Sequence, residues 1–344
     1  MTERLDRAPA LQPTLEAVGA VAGVSRATVS RVINGSPKVS PGAREAVERA
    51  VSKLGYVPNR AARTLVTRRT DTIALVVSEP EARVFSDPFF AAAVRGVSVA
   101  VSDTALQLVL VMAQGEREHE KVERYVRQGH VDGVILLSLH GQDPLPRVLS
   151  EAGIPTVMLG RPLSGVSVAY VDADNRGGAR EAVDHLLGLG RRTIATIAGP
   201  SDMSPGIDRH DGYRDALAAA RIKPRKGWAE PGDFTEGAGY EAMVRLLRRE
   251  AQIDAVFCAN DLMASGALRA LLESGRHVPD DVAVIGFDDA PLARHTTPPL
   301  TTMRQPIDEM TRAMIDLLCT QISRGTGRGQ RVICATTLVR RASA

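Results

Sequence analysis

Several kinds of chemistry are missing from this chain. It has three cysteines, Cys258, Cys319 and Cys334, at spacings that fit no metal-binding pattern, and seven scattered histidines. No resident metal and no cofactor are therefore expected, and Cys258, inside an apolar run, is read as core. There is no HExxH, no GxSxG and no phosphate-binding loop, which removes the zinc protease, serine hydrolase and P-loop readings. Gly188 and Gly190 lie at the end of a helix-like stretch rather than after a strand, so they are not a dinucleotide fingerprint. The chain also has no signal peptide and no long apolar run. The leading MTERLDRAPALQP is polar, so the expectation is a cytoplasmic protein with no membrane partner and a disordered extension at 1–13. Aromatic residues are only 3% of the chain, which makes any local cluster of them conspicuous.

What is present begins at residue 14. Thr14 is a helix-start residue ahead of Leu15, Val18 and Val21, which share a helix face. Ala22-Gly23-Val24 reads as a tight turn in which glycine takes the left-handed conformation. Ser25 then caps a second helix that turns Val29, Val32 and Ile33 inward and leaves Arg26, Ala27, Ser30 and Arg31 outside, with Asn34-Gly35 ending it. A third helix over 41–54 offers Ala43, Val47, Ala50, Val51 and Leu54 to the same small core. Two helices joined by a glycine turn and braced by a third make a helix-turn-helix unit, whose second helix enters the DNA major groove.

The plainer alternative is a small basic helical bundle, and charge weighs against it. Residues 1–69 carry 12 Lys and Arg against 5 Asp and Glu; the remainder carries 31 against 35. A basic head on a mildly acidic body suits a polyanion binder joined to a domain with another task.

The stretch AGVSRATVSRVIN, followed by VSPGAREAVERAVSKLGYVPNRAARTLV, resembles the head of the lactose/galactose repressor family of bacterial transcription factors, and the likeness continues over residues 14–341. The resemblance implies that Arg26, Ala27 and Arg31 read bases. It implies that Ser25, Thr28, Ser30, Asn34, Ser40 and Tyr56 lie near phosphates of a palindromic, double-stranded operator. An arginine such as Arg31 can pair bidentately with guanine, worth roughly 1–3 kcal/mol of discrimination. Ala27 offers only an apolar contact, leaving more of the variable readout to Arg26. Two positions depart from the family pattern. Gly19 stands where alanine is usual, at a propensity cost of about 1 kcal/mol, and Ala43 replaces a common threonine, removing one phosphate hydrogen bond.

Residues 14–57 form the reader on this reading, and 58–66 the hinge. Pro58 stops the preceding segment, and residues 59–66 are too few for a stable isolated helix. The resemblance implies a hinge that folds only on DNA beside its dimer mate. Asn59 and Ala62 would approach the groove, and Leu65 would enter the minor groove and kink the duplex. An ordinary basic linker is the alternative.

From residue 70 onward apolar runs (73–77, 108–112, 134–137, 156–159, 194–198, 255–258, 282–287) alternate with amphipathic stretches such as 175–189, 209–220 and 261–274. That rhythm predicts parallel α/β sheets covered by helices. The length exceeds one such unit, so two lobes are expected. Lobe 1 is placed at 70–170 and 302–326, lobe 2 at 171–297 and 330–344, with crossings near 298–299 and 324–330. The body resembles the periplasmic sugar-binding-protein fold, with a ligand cleft between lobes. Its last strand is placed at 332–339. No apolar heptads come after it, so the family's tetramerisation tail is not expected and a homodimer is.

Ligands bind at the carboxyl ends of parallel strands, where Asn260-Asp261 and Asp288-Asp289 fall. Arg209 starts a helix after the run at 194–198, and its guanidinium suits adjacent hydroxyls or a carboxylate. By resemblance Arg209, Asn260 and Asp288 match polyol-binding positions. Helix capping is the alternative for the carboxylates, assigned to Asp261, with ligand binding assigned to Asp288. Half of the six phenylalanines lie in Phe85-Ser86-Asp87-Pro88-Phe89-Phe90. Phe89 could stack on a sugar face and Asp87 hold hydroxyls; a core cluster at a helix start, with Phe90 its core member, is the alternative. Asp172, Asp174 and Asn175 resemble a family motif at the lobe crossing, and Arg161 is a further candidate.

The chain is thus expected to be a cytoplasmic, nucleoid-associated repressor released from its operator by a mono- or disaccharide. The alternatives are a corepressor regulator using a purine-like or sugar-phosphate ligand, and a cytoplasmic sugar-binding protein or enzyme, which would leave the head unexplained.

Overall fold

The computed structural model describes residues 13–33, 35–57, 69–141, 143–163, 165–327 and 329–344. Asn34, Asn59, Ala62 and Leu65, and with them the whole hinge, lie outside the described residues, as do residues 1–12. The chain divides into two compact units, Met1–Thr70 and Asp71–Ala344.

In the first unit three helices match the apolar spacing: α1 (Leu15–Ala22), α2 (Arg26–Ile33) and α3 (Pro41–Leu54). The Thr14 hydroxyl accepts the Ala17 N–H at 3.2 Å, and Ser25 and Ser40 accept those of Thr28 and Ala43. Each such cap stabilises its helix by about 1 kcal/mol. Val18, Val29, Val32, Val47, Ala50 and Tyr56 form the core. Gly19 has a packing role that the propensity argument misses: a Cβ there would fall 2.8 Å from the Val24 carbonyl oxygen. Glycine lets α1 lie close against the turn that launches α2.

The second unit holds two six-stranded sheets. The first contains β1 (Thr72–Val77), β2 (Gln107–Met112), β3 (Gly133–Leu137), β4 (Thr156–Leu159), β5 (Ala169–Ala173) and β11 (Arg331–Cys334), in the order β11-β5-β4-β3-β1-β2. The second contains β6 (Ile194–Ala198), β7 (Ala229–Pro231), β8 (Ala255–Cys258), β9 (Ala283–Asp288), β10 (Thr301–Arg304) and β12 (Thr337–Val339), in the order β12-β10-β9-β8-β6-β7. All pairings are parallel except β10 with β12. Central strands such as β3 are buried along their whole length, which is why they read as unbroken apolar runs.

Helices α4 (Glu81–Ser86), α5 (Pro88–Ser102), α6 (Glu116–Arg127), α7 (Leu145–Glu151) and α12 (Ile307–Arg324) cover the first sheet. The second is covered by α8 (Asn175–Gly188), α9 (Ser204–Ala219), α10 (Glu236–Arg249) and α11 (Asp261–Glu273). Cys258 is fully buried between α10, α11 and the sheet.

The lobe boundaries differ from the sequence expectation. Strand β5 pairs with β4 and β11, so the first lobe extends through 173, beyond the expected 170. Strand β10 pairs with β9, so 301–304 belongs to the second lobe and not the first. The single last strand expected at 332–339 is two strands, one in each sheet. The chain therefore crosses near 174, 305 and 335. Strand pairing decides this, and pairing is non-local.

Helices α10 and α11 meet through glycines. A Cβ on Gly266 would fall 2.0 Å from the Glu236 carbonyl oxygen, and one on Gly239 2.2 Å from that of Met263. Gly266→Ala must push the helix backbones apart, because neither contact is a flexible side chain. The expected cost is about 3 kcal/mol, a fall in melting temperature of roughly 6–12 °C by calorimetry. An unchanged melting temperature would mean the helices do not pack this closely.

Candidate functional site

The strand ends that face the gap between lobes carry most of its polar groups, as parallel sheets dictate. The cavity there encloses about 730 Å³ of empty space, its mouth included, and Asp87, Phe89, Arg209, Asn260 and Asp288 all line it. Five residues expected from sequence are thus brought together. Asn175, Asp172, Phe234 and Gln305 join them.

Arg209 organises the floor. It lies in the second turn of α9, not at its start, and is buried at 4% exposure. Its Nε donates to Asn175 Oδ1 at 2.8 Å; its Nη1 donates to the Ala259 carbonyl at 2.5 Å and to Asp288 Oδ1 at 3.4 Å. The guanidinium stacks 3.7 Å from the Phe287 ring centroid, an arrangement lysine cannot copy. Among the described residues nothing pairs with Nη2, which leaves that donor for a ligand. Asn175 donates in turn to Asp172 Oδ1 at 2.8 Å, and Gln305 donates to Asp288 Oδ1 at 2.7 Å. A hydrogen-bonded chain thus runs from the first sheet, through Arg209, to the lobe crossing.

Asp288 has φ 112° and Asp289 φ 55°. Such positive angles cost a non-glycine residue of order 1–3 kcal/mol and persist only where neighbours hold them. Asp289 is held away from the cleft by Arg304 and Arg341. Asp288 is thereby turned toward the cavity. Burial pushes the carboxyl groups of Asp288 and Asp172 up to about 6 each, and that of Asp87 upward too.

One expectation is overturned, the cap. Asp261 does not cap α11. Asn260 does, accepting the Met263 N–H at 2.9 Å, while fully buried Asp261 bonds to the Thr302 hydroxyl and the Ala290 N–H. Asn260 also donates to the Phe234 carbonyl, so its amide holds the cleft wall as well as lining it. Asp87 both lines the cavity and caps α5 through the Phe89 N–H, so its two readings are compatible. Phe90 is core and yet reaches the cavity wall; Asp174 caps α8.

In the head, Arg26, Ala27 and Arg31 are exposed on α2, and Thr28 and Ser30 are half-buried beside them. The Ser25 and Thr28 hydroxyls bond to each other at 3.0 Å. Arg26 pairs with Glu16 on α1 at 3.1 Å, and both side chains are exposed. Tyr56 is 8% exposed, and its ring belongs to the core rather than to an open surface.

No helix among the described residues is long and apolar enough to cross a membrane. No group of three or more His, Cys, Asp or Glu suited to a metal occurs among them.

A model of bacterial regulatory proteins of the lacI family matches residues 14–59, and one of a periplasmic binding protein-like domain matches residues 183–344. The chain is 54% identical over 335 residues to the HTH-type transcriptional regulator CelR of Thermobifida fusca, covering 96% of this chain and 98% of that one. It is 36% identical to the ribose operon repressor of Escherichia coli (strain K12), at 96% and 99% coverage. Among solved structures, the transcriptional regulator CelR-cellobiose complex superposes with a TM-score of 0.78 at 51% identity, covering 97% of this chain and all of that one. The lac repressor dimer bound to operator and the anti-inducer ONPF superposes with a TM-score of 0.83 at 26% identity, with coverage of 96% and 99%. A reader helix, a two-lobed body and relatives alike over almost their full length lead to one conclusion: the chain belongs to the lacI family of bacterial regulatory proteins, DNA-binding transcriptional regulators and not enzymes.

Proposed function

We propose that the chain is a cytoplasmic, homodimeric repressor of a palindromic operator and that its releasing ligand is a neutral gluco-oligosaccharide of the cellobiose class. The observation that carries this reading is the charge balance of the cleft. Asp87, Asp172 and Asp288 outnumber the guanidinium of Arg209, which is itself paired with Asp288, and the other two cleft arginines are paired as well, Arg83 with Glu79 and Arg161 with Asp208. Neutral polyol hydroxyls can donate to the carboxylates and accept from Arg209 Nη2. A phosphate or sugar acid would meet three carboxylates, which disfavours the sugar-phosphate corepressor. The rings of Phe89 and Phe234 supply apolar faces for pyranose rings. The relative whose solved complex contains cellobiose is 51% identical, which supports the same ligand class here.

In the head, Arg26, Ala27 and Arg31 read bases, Ser25, Thr28, Ser30 and Ser40 meet phosphates, and Tyr56 holds the α3 exit in place. The ligand acts by binding the closed lobes more tightly than the open ones; equal binding would shift nothing.

Thermal shift of the full-length protein against cellobiose, cellotriose, ribose, glucose 6-phosphate and guanine tests this reading. Cellobiose at about a hundredfold above its Kd should stabilise the body by about 2.7 kcal/mol, with no response to the phosphate or the purine. A shift with glucose 6-phosphate or guanine and none with the cello-oligosaccharides would overturn it.

A further inference from the structure

The lobes touch beside the cleft at a cluster whose centre, Glu79, His140 and Asp202, does not line the ligand cavity. His140 comes after β3 in the first lobe. Its Nε2 lies 3.1 Å from Glu79 Oε1, and its Nδ1 lies 3.0 Å from Oδ2 of Asp202, in the loop between β6 and α9 of the second lobe. The next residue, Gly141, donates its N–H to the Asp202 carbonyl at 2.6 Å. Glu79 is 2% exposed, accepts the Ser138 hydroxyl at 2.6 Å and pairs with Arg83 at 3.1 Å. Arg83 in turn faces the second lobe's Phe234 ring at 5.8 Å. A second bridge, Arg161 to Asp208 at 2.7 Å, lies alongside. Both bridges join strand-end loops of the first sheet to the start of α9, at the cavity's lip.

We propose that the Glu79–His140–Asp202 relay is an inter-lobe latch that holds the cleft shut over its ligand, and that the charged imidazole is the form that closes it. Both ring nitrogens face carboxylate oxygens. A neutral imidazole can donate from one nitrogen only and sets the other's lone pair against the second carboxylate, whereas the imidazolium donates to both. Asp143, further along the same loop, faces His119 at 3.6 Å instead. Glu79 and Asp202 raise the affinity of His140 for its proton and burial opposes them. The raised affinity fixes the sign: closure is complete below the unperturbed histidine range and is lost as pH rises through the raised value. His140 and Asp202 are positioning residues. They set ligand affinity through closure, without lining the cavity.

The latch as a ligand clamp rests on the cleft's taking a ligand, so its test has one arm without ligand. The Gly141 amide crosses the lobes, and its hydrogen exchange in the ligand-free full-length protein reports closure directly. After correction for intrinsic rates, its protection should fall about tenfold from pH 6 to pH 8.5. In His140→Gln and Asp202→Asn it should be low at both. Cellobiose affinity by calorimetry should fall about tenfold over the same range with proton uptake on binding; in both variants it should be weaker at pH 6 and lose the histidine's share of that fall, leaving only the part due to the carboxyl groups of Asp172 and Asp288. Gly141 protection that ignores pH, or variants that match the parent, would overturn the latch. Protection that behaves as stated in a protein that does not bind cellobiose would leave the latch standing and overturn the sugar reading.

Discussion

Arg209→Ala is expected to abolish release by cellobiose while leaving operator affinity at the level of the ligand-free parent. The guanidinium is paired with Asp288 through Nη1, and among the described residues its Nη2 is its donor without a protein partner. Two charge-assisted bonds to sugar hydroxyls are worth about 1.5–3 kcal/mol each, so losing them lowers sugar affinity by more than about a hundredfold. The substitution also strips partners from Asn175, Ala259 and Asp288. A buried carboxylate that loses its cation takes up a proton rather than remain charged. The body should accordingly lose about 3 kcal/mol, still fold, and leave the head intact. Arg209→Lys restores charge but not the planar fork or the stacking on Phe287, so it should recover stability in part and the sugar response hardly at all. Calorimetry with cellobiose and fluorescence polarisation with operator DNA separate the two effects. Normal release by cellobiose in Arg209→Ala would remove this residue from the ligand site.

The second large effect belongs to Arg31. Its side chain is exposed on α2, while Val29 and Val32 of the same helix hold that face in place from within. Arg31→Ala should leave the head folded, because no core contact is removed. It should cost about 1–3 kcal/mol of discrimination between operator and a duplex altered at the contacted guanine, tenfold to more than a hundredfold in the affinity ratio. Binding to unrelated DNA should fall much less, since phosphate contacts supply most of it. Equal loss on all sequences would reassign Arg31 to the backbone. Glu16 gives an internal control: it pairs with Arg26 at 3.1 Å, so Glu16→Gln frees that side chain without touching Arg31.

How much was legible in the sequence depends on the range of the forces involved. The head's helices were readable to the residue at 41–54 because capping and apolar spacing act over one or two turns. Gly19 reads as a defect on propensity alone, since the Val24 carbonyl that explains it is a tertiary neighbour. In the body the apolar runs marked seven strands, yet β5 and β10 were not singled out. AYVDA and TTMR are short and partly polar, and the choice of sheet is made by distant partners.

The site divides in the same way. Arg209, Asn260 and Asp288 could be placed because strand ends are recognisable. Asn260 takes the cap assigned to Asp261 because a cap differs from its neighbour by one residue, and only Thr302 and Ala290 across the lobe decide that Asp261 turns inward. Gln305 and Phe234 were missed: a glutamine at a crossing carries no spacing signal. Phe234 did offer one, since a chain with six phenylalanines that spends one in the loop Gly232-Asp233-Phe234-Thr235 is marking a position.

If ligand in the cleft governs the head's hold on DNA, operator affinity must change when the cleft fills. Fluorescence polarisation on the full-length protein, with and without saturating cellobiose at fixed salt, measures this most directly. The expected affinity is at least about tenfold weaker with cellobiose present, a coupling of about 1.4 kcal/mol or more. Cellobiose that binds the body yet leaves operator affinity unchanged would contradict control of the head by the cleft.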